Sequence, residues 1–162
     1  ASGVKCVTAE ERGDALMASI HRTARAAWQG TGKEGTGTLS TQSGVLKEAR
    51  YGFQTRFADG PGTNPEELIA AAHAGCFTMA LSLILGNEGH TPEELHTDAR
   101  AELRNVDGAP TITKMILKTR GRVPGIDQDA FERYAEQSKE SCLVSRALAG
   151  VQEMEVEATL ES

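Results

Sequence analysis

The sequence predicts an α+β protein whose antiparallel sheet packs on helices, and three observations carry that prediction. Segments read in the order strands, helix, strands, helix, strand, without the alternating βαβ pattern of a parallel sheet. One stretch, Leu68–Leu85, is almost entirely apolar or small, as a helix buried on most sides would be. An Asp107-Gly108 pair between two β-rich runs marks a hairpin.

The elements follow in order. Thr8-Ala-Glu-Glu11 fits a capping box, with a short helix through Ser19. Ala24–Trp28 and the Thr-rich Thr36–Thr41 read as strands around the turn Gly30-Thr-Gly-Lys-Glu-Gly35. Tyr51–Phe57 alternates aromatic and polar residues and reads as another strand, broken by Gly60-Pro-Gly62. The helix over Asn64–Leu85 has Thr63 or Asn64 as its cap, Pro65 in its first turn, Glu66 and Glu67 at its positive end, and Gly86-Asn87 as its stop. Leu95–Asn105 and Thr111–Val123 read as strands joined through Val106–Pro110. Asp127–Ser141 has helical spacing, with Ile126, Ala130, Phe131, Tyr134 and Ala135 on one side. Ser141-Cys142 opens a short helix to Ala149, with Ser141 as its cap, and Gln152–Leu160 alternates as a half-buried strand.

Composition narrows the function. A chain of 162 residues with 39% hydrophobic and 25% charged residues is an ordinary globular one, able to fold alone or to complete its core by dimerising. A net charge of −6 and the lack of any basic run argue against a nucleic-acid partner. The apolar helix has the length of a membrane span, but His73, Thr78 and Ser82 interrupt it and no Lys or Arg flanks it. The expectation is the central helix of a domain or of a dimer, with no membrane. No secretory leader is visible, so the cytosol is the expected compartment.

Three cysteines, Cys6, Cys76 and Cys142, are too few for a secreted disulfide framework. Cys6 has no activating neighbour in sequence. Cys76 lies about three turns into its helix, beyond reach of the helix's own dipole, and burial alone would leave it inert. A reactive Cys76 needs a cation: His73 one turn earlier could approach it, but Arg56 is the better permanent charge. Cys142, at a helix start, would face unpaired amides that favour a thiolate. From spacing alone a redox pair and two unrelated core cysteines stand level. A metal site of Cys76, Cys142, His73 and a fourth ligand is the weaker third reading, with no CxxC or HxxxH behind it. His73 reads mainly as a packing residue, and Thr78 and Ser82 likewise.

A resemblance decides among these. Thr63-Asn-Pro-Glu-Glu-Leu-Ile-Ala-Ala-Ala-His-Ala-Gly-Cys-Phe77 closely resembles the cysteine helix of the OsmC/Ohr family of osmotically induced and organic hydroperoxide resistance proteins. Ser40–Leu46, Tyr51–Phe57, Ile112–Leu117 and Val123–Asp127 resemble its OsmC branch. The likeness runs in order from about His21 to Ser162, which makes 21–162 an OsmC-like peroxidase domain and 1–20 an N-terminal extension. It implies antiparallel sheets wrapped around central helices in an intertwined homodimer. It also implies a thiol-dependent hydroperoxide reductase in which Cys76 is peroxidatic, Cys142 forms the disulfide with it, Arg56 holds the thiolate and Glu66 orients Arg56. The reductant implied is an external dithiol of the lipoyl kind, on a protein or free, with no bound metal, flavin or haem. One departure stands out: Leu143 follows Cys142 where Pro is frequent, and a changed helix start is expected there.

Geometry adds one expectation of its own. Glu66 and Cys76 are ten residues apart on one helix, roughly 15 Å along its axis and about 280° around it. They cannot meet in one small site within a subunit, so a shared site would draw them from the two subunits of a dimer. The rival readings are a redox-sensing or ligand-binding protein on the same fold, a hydrolase or metal protein using Cys76 and His73, and a structural dimer module.

Overall fold

The computed structural model describes residues 20–57 and 60–162. The Thr8–Ser19 helix and Cys6 lie outside these residues. The described chain forms two compact units that divide at Gly62 and Thr63.

The first unit is a three-stranded antiparallel sheet, β1 (Ala24–Gln29), β2 (Thr36–Thr41) and β3 (Ala49–Gly52), followed by a single helical turn, α1 (Gln54–Phe57). The Ala27–Thr38 and Trp28–Gly37 pairs bring Trp28 beside Tyr51, with ring centroids 5.3 Å apart. The strand expected through Phe57 stops at Gly52. Phe53 and Phe57 are four residues apart, which is also one helical turn, and their rings pack in a tilted pair with centroids 4.8 Å apart. The Thr55 hydroxyl accepts from the Gly52 amide at 3.1 Å and donates to the Gly52 carbonyl at 2.8 Å, a local alternative to strand pairing. Arg56 therefore sits on a helical turn, not on a strand, with its guanidinium over the Phe57 ring at 5.5 Å.

The second unit begins with α2 (Pro65–Asn87). Asn64 caps it by accepting from the Glu67 amide at 2.8 Å, and Pro65 occupies the first helical position. Its end lies slightly beyond the expected stop. Gly86 and Asn87 are helical, and Gly89, at φ +82°, closes a Schellman turn in which His90 N–H donates to the Leu85 carbonyl. A hairpin follows, β4 (Glu94–Val106) and β5 (Ala109–Arg122). Its turn residues Asp107 and Gly108 both have positive φ, as a type I′ turn requires. Then come α3 (Gln128–Ser141), α4 (Leu143–Ala147) and β6 (Glu153–Glu161).

Hairpin pairing is antiparallel throughout, as expected, but β6 runs parallel to β5. The reason is connectivity. The chain leaves β5 at Arg122, crosses over through α3 and α4, and re-enters the sheet at the opposite end, where Glu153 pairs with Lys114, as a parallel neighbour must. β5 shows why this sheet has two characters. Thr113, Met115, Leu117, Thr119 and Gly121 point inward and are buried. Between them Lys114, Lys118 and Arg120 meet Glu153, Glu155, Glu157, Asp98 and Glu161 on the outer face. Such exposed pairs add little stability, so the inner face carries the unit. There Phe77, Leu81 and Leu85 of α2 pack with Leu117, Val123, Phe131, Ala135 and Cys142. Gly121 permits this closeness: a Cβ there would lie 2.5 Å from Leu95 Cδ2 and 3.1 Å from Phe131 Cζ.

Helix α2 divides into two faces. Glu66, His73, Phe77, Leu81 and Leu85 are buried. Ala72, Gly75, Met79, Leu83 and Gly86 form the opposite side and are exposed, Met79 by 68% and Leu83 by 66%. The helix is the one described element long and apolar enough to cross a bilayer.

Candidate active site

The two thiols come together where α2 passes the junction of α3 and α4. Cys76 lies on the flank of α2, between its buried stripe and its exposed apolar face, and is half-buried. Cys142 is 1% exposed. It closes α3 by donating its N–H to the Ser138 carbonyl, and its own carbonyl accepts the first bond of α4 from Arg146. Its φ of −61° and ψ of 123° turn the chain between the two helices. The expected arrangement, with Ser141 as cap and Cys142 in the first turn, is therefore displaced by one residue: Ser141 ends α3 and Cys142 is itself the cap. Its Sγ accepts from the Ser145 amide at 3.5 Å, where a Ser or Asp cap would place an oxygen. Leu143, which stands where Pro is frequent, is the first residue of α4 and is exposed.

The thiols of Cys76 and Cys142 lie within hydrogen-bonding reach of each other, and both are free. Their environments differ. Burial is the largest influence on Cys76 and pushes it up. The Val144 and Leu143 amides oppose this, the neighbouring Cys142 adds to it, and the net direction is upward. Burial also pushes Cys142 up, but the Ser145 amide, the Cys76 thiol, the Ser145 hydroxyl and the Val144 amide outweigh it, and the net direction is downward. Within one chain, then, the surroundings push the Cys76 thiol up and draw the Cys142 thiol down. Cys76 gains nothing from the start of its own helix. The amides that reach it belong to the first turn of α4, a contribution that spacing along α2 could not reveal.

His73 is fully buried, and burial holds its imidazole below the ordinary value of 6.5. Its Nε2 lies 2.8 Å from Ser145 Oγ, and its Nδ1 is buried without a partner among the described residues. It does not join the thiols as a ligand set: among the described residues, no cluster of three or more His, Cys, Asp or Glu side chains could hold a metal ion. Ser145 is the residue that sequence reasoning passed over. The signal was its position three residues after a capping Cys, where the third amide of a helix turns back toward the cap.

Glu66 is buried in the first turn of α2, ten residues from Cys76 on one continuous helix. The roughly 15 Å separation along the axis therefore holds. Arg56 belongs to α1 in the first unit.

A helix-borne cysteine facing a capping cysteine, over a sheet whose strands flank the helices, defines a two-cysteine redox protein. Comparison with known proteins specifies the class. Residues 58–157 match the OsmC-like protein family. The chain is 51% identical over 130 residues to the peroxiredoxin OsmC of Escherichia coli, covering 80% of this chain and 91% of that protein. It is 30% identical over 94 residues to the organic hydroperoxide resistance protein of Xanthomonas axonopodis pv. citri, covering 57% of this chain and 64% of that one. An organic hydroperoxide resistance protein from Elizabethkingia anophelis superposes with a TM-score of 0.65 at 23% identity, covering 90% of this chain and 99% of that one. An OsmC-like protein from Mycoplasma pneumoniae gives 0.68 at 15% identity, with 88% and 99% covered. The chain belongs to the OsmC/Ohr family of thiol-dependent peroxidases.

Proposed function

We propose that the chain reduces organic hydroperoxides, and hydrogen peroxide as well, by a cycle confined to Cys76 and Cys142. The observation that carries this reading is the facing pair of free thiols, one on an accessible helix flank and the other buried at a cap. The Cys76 thiolate attacks the distal peroxide oxygen. The O–O bond breaks, the alcohol leaves with a proton, and Cys76 becomes a sulfenic acid. The Cys142 sulfur then attacks Cys76 Sγ, the S–O bond breaks, and water leaves with the Cys142 proton as the disulfide forms. A dithiol returns both cysteines to thiols and is itself oxidised to a disulfide. The E. coli relative is a peroxiredoxin, which favours turnover over the sensor reading.

The raised Cys76 pKa sets the problem that Arg56 solves in this reading. Without a cation the proton stays on Cys76, and the first step stalls. Arg56 pairs with the Cys76 thiolate, and Glu66 fixes the guanidinium by a bidentate contact. Since Glu66 and Cys76 sit far apart on one helix, the site takes them from different subunits of an intertwined homodimer. Three features support the dimer: the exposed Ala72, Gly75, Met79, Leu83 and Gly86 face, the exposure of Phe57 beside Arg56, and the position of Cys76 at the edge of that face. An apolar helix face of this kind, left open in one chain, is a subunit contact. Sealed in the dimer, α2 is a core helix, and the protein works in the cytosol, where thiols are kept reduced.

The test is steady-state consumption of cumene or fatty-acid hydroperoxide against hydrogen peroxide, with dihydrolipoamide supplied, free or on a lipoylated protein. The reading expects turnover with the organic substrates favoured. No turnover with any dithiol would leave the sensor reading in its place.

A further inference from the structure

We infer that Ser145 and His73 are positioning residues for the second half of the cycle, with His73 orienting the Ser145 hydroxyl so that it donates to Cys142. The inference rests on the peroxidase reading above for the step it serves, but the geometry it uses is independent of that reading. Ser145 has one hydroxyl proton and two neighbours that could take it. His73 Nε2 lies 2.8 Å away, and the Cys142 sulfur lies beside the same residue, 3.5 Å from its amide nitrogen. Which neighbour receives it depends on the His73 tautomer.

Two observations choose. His73 is completely buried, so it stays a neutral ring and serves as a donor or acceptor, not as a counter-charge. Its Nδ1 has no partner among the described residues. An unpartnered buried N–H is the rarer arrangement in folded proteins, and an under-satisfied acceptor is better tolerated. Nδ1 is therefore the bare nitrogen, and Nε2 carries the proton and donates to Ser145 Oγ. With its lone pair engaged, the hydroxyl turns its own proton to Cys142 Sγ. The sulfur then receives two donors from one residue, the amide at 3.5 Å and the hydroxyl. The groups that face Cys142 are Cys76 from α2, the Val144 and Ser145 amides from α4, and His73 through the hydroxyl.

The chemical consequence falls on disulfide closure. Cys142 must act as a nucleophile on the Cys76 sulfenic acid, and it must leave as a thiolate when a dithiol attacks the Cys76 sulfur of the disulfide. Both roles need negative charge on Cys142. Neither affects the first attack on peroxide, which belongs to Cys76.

The test uses the full chain with Cys6→Ser, so that only Cys76 and Cys142 report. After one equivalent of cumene hydroperoxide, the product is partitioned between a dimedone adduct of the sulfenic acid and the disulfide, read by intact mass. Ser145→Ala is expected to slow closure roughly tenfold or more, as loss of a hydrogen bond to a charged group would, and to divert product to the adduct. Ser145→Thr, which keeps the hydroxyl, should restore closure. His73→Phe should slow closure less, and should change nothing further in a Ser145→Ala background, because His73 acts only through Ser145. His73→Gln, which keeps an N–H donor, serves if the Phe variant does not fold. Closure in Ser145→Ala as fast as in the parent would overturn the inference, and so would a His73 effect that persists without the hydroxyl. If no sulfenic acid forms in any variant, it is the peroxidase reading that fails. The inference is then judged on a Cys6→Ser, Cys76→Ser chain by thiolate absorbance: Ser145→Ala should raise the Cys142 titration by about one unit, and an unmoved titration would overturn it.

Discussion

Replacing Leu83 by Glu tests whether the open side of α2 is a subunit interface. Leu83 is 66% exposed in one chain, so about two-thirds of its burial energy is still available to a partner. Full burial of a Leu side chain contributes about 1.5–3 kcal/mol, which leaves about 1–2 kcal/mol per side chain and about 2–4 kcal/mol for the two copies in a symmetric dimer. Each introduced carboxylate must in addition be desolvated or excluded, at a further cost of a few kcal/mol. Leu83→Glu should therefore weaken the dimer at least about 30-fold. Leu83 lies seven residues from Cys76, roughly 10 Å along the helix, so it does not line the thiols directly. Sedimentation velocity across a dilution series gives the dissociation constant, and turnover per subunit measured over the same series should fall as dimers separate. A wild-type chain that is monomeric while fully active would refute the reasoning. So would a Leu83→Glu protein with unchanged mass distribution.

Further predictions follow from the same geometry. Arg56→Ala should slow the first oxidation of Cys76 by roughly ten- to a hundredfold near neutral pH. Because burial holds Cys76 above its ordinary value, the deficit should shrink as pH rises and the thiolate forms without help; stopped-flow oxidation at several pH values reads this. His73 carries a stability signature: its folded pKa is below the ordinary 6.5, so the unfolded chain binds the extra proton. Its contribution is intact above about 6.5 and is lost as pH falls below it, by at most about 1.4 kcal/mol per pH unit, and urea titrations of His73→Phe should lack this component. Gly121→Ala should destabilise the second unit by about 1–3 kcal/mol, because its methyl would press on Leu95 and Phe131, and a thermal melt would show it.

Much of this architecture was legible in the sequence because its signals are local. Asn64-Pro65 fixed the start of α2, Asp127 that of α3, and Asp107-Gly108 the hairpin turn, each by satisfying backbone groups within four residues. Three features were not legible, each because two physical signals coincide or because the partner is remote. Phe53 and Phe57 satisfy both a strand alternation and a helical turn, and the Thr55 hydroxyl tips the balance toward the turn. The parallel entry of β6 depends on where α3 and α4 deliver the chain, which no residue in Glu153–Glu161 records. The site was legible as residue types but not as contacts. Cys76 was correctly read as too deep for its own helix dipole, yet the amides that reach it lie 67 and 68 residues away at Leu143 and Val144. His73 is buried, in keeping with a packing role, but among the described residues its polar contact ends on Ser145, 72 residues on.

The central claim is that Cys76 and Cys142 are the two ends of one peroxide-driven reaction, and peptide mapping after a single equivalent of cumene hydroperoxide tests it most directly. The account predicts a linked pair of peptides carrying Cys76 and Cys142 in the wild-type chain. With Cys142→Ser, it predicts one added oxygen on Cys76 that dimedone captures. A wild-type chain in which the peroxide is consumed without that linkage, or in which Cys142 is oxidised while Cys76 remains a thiol, would contradict it.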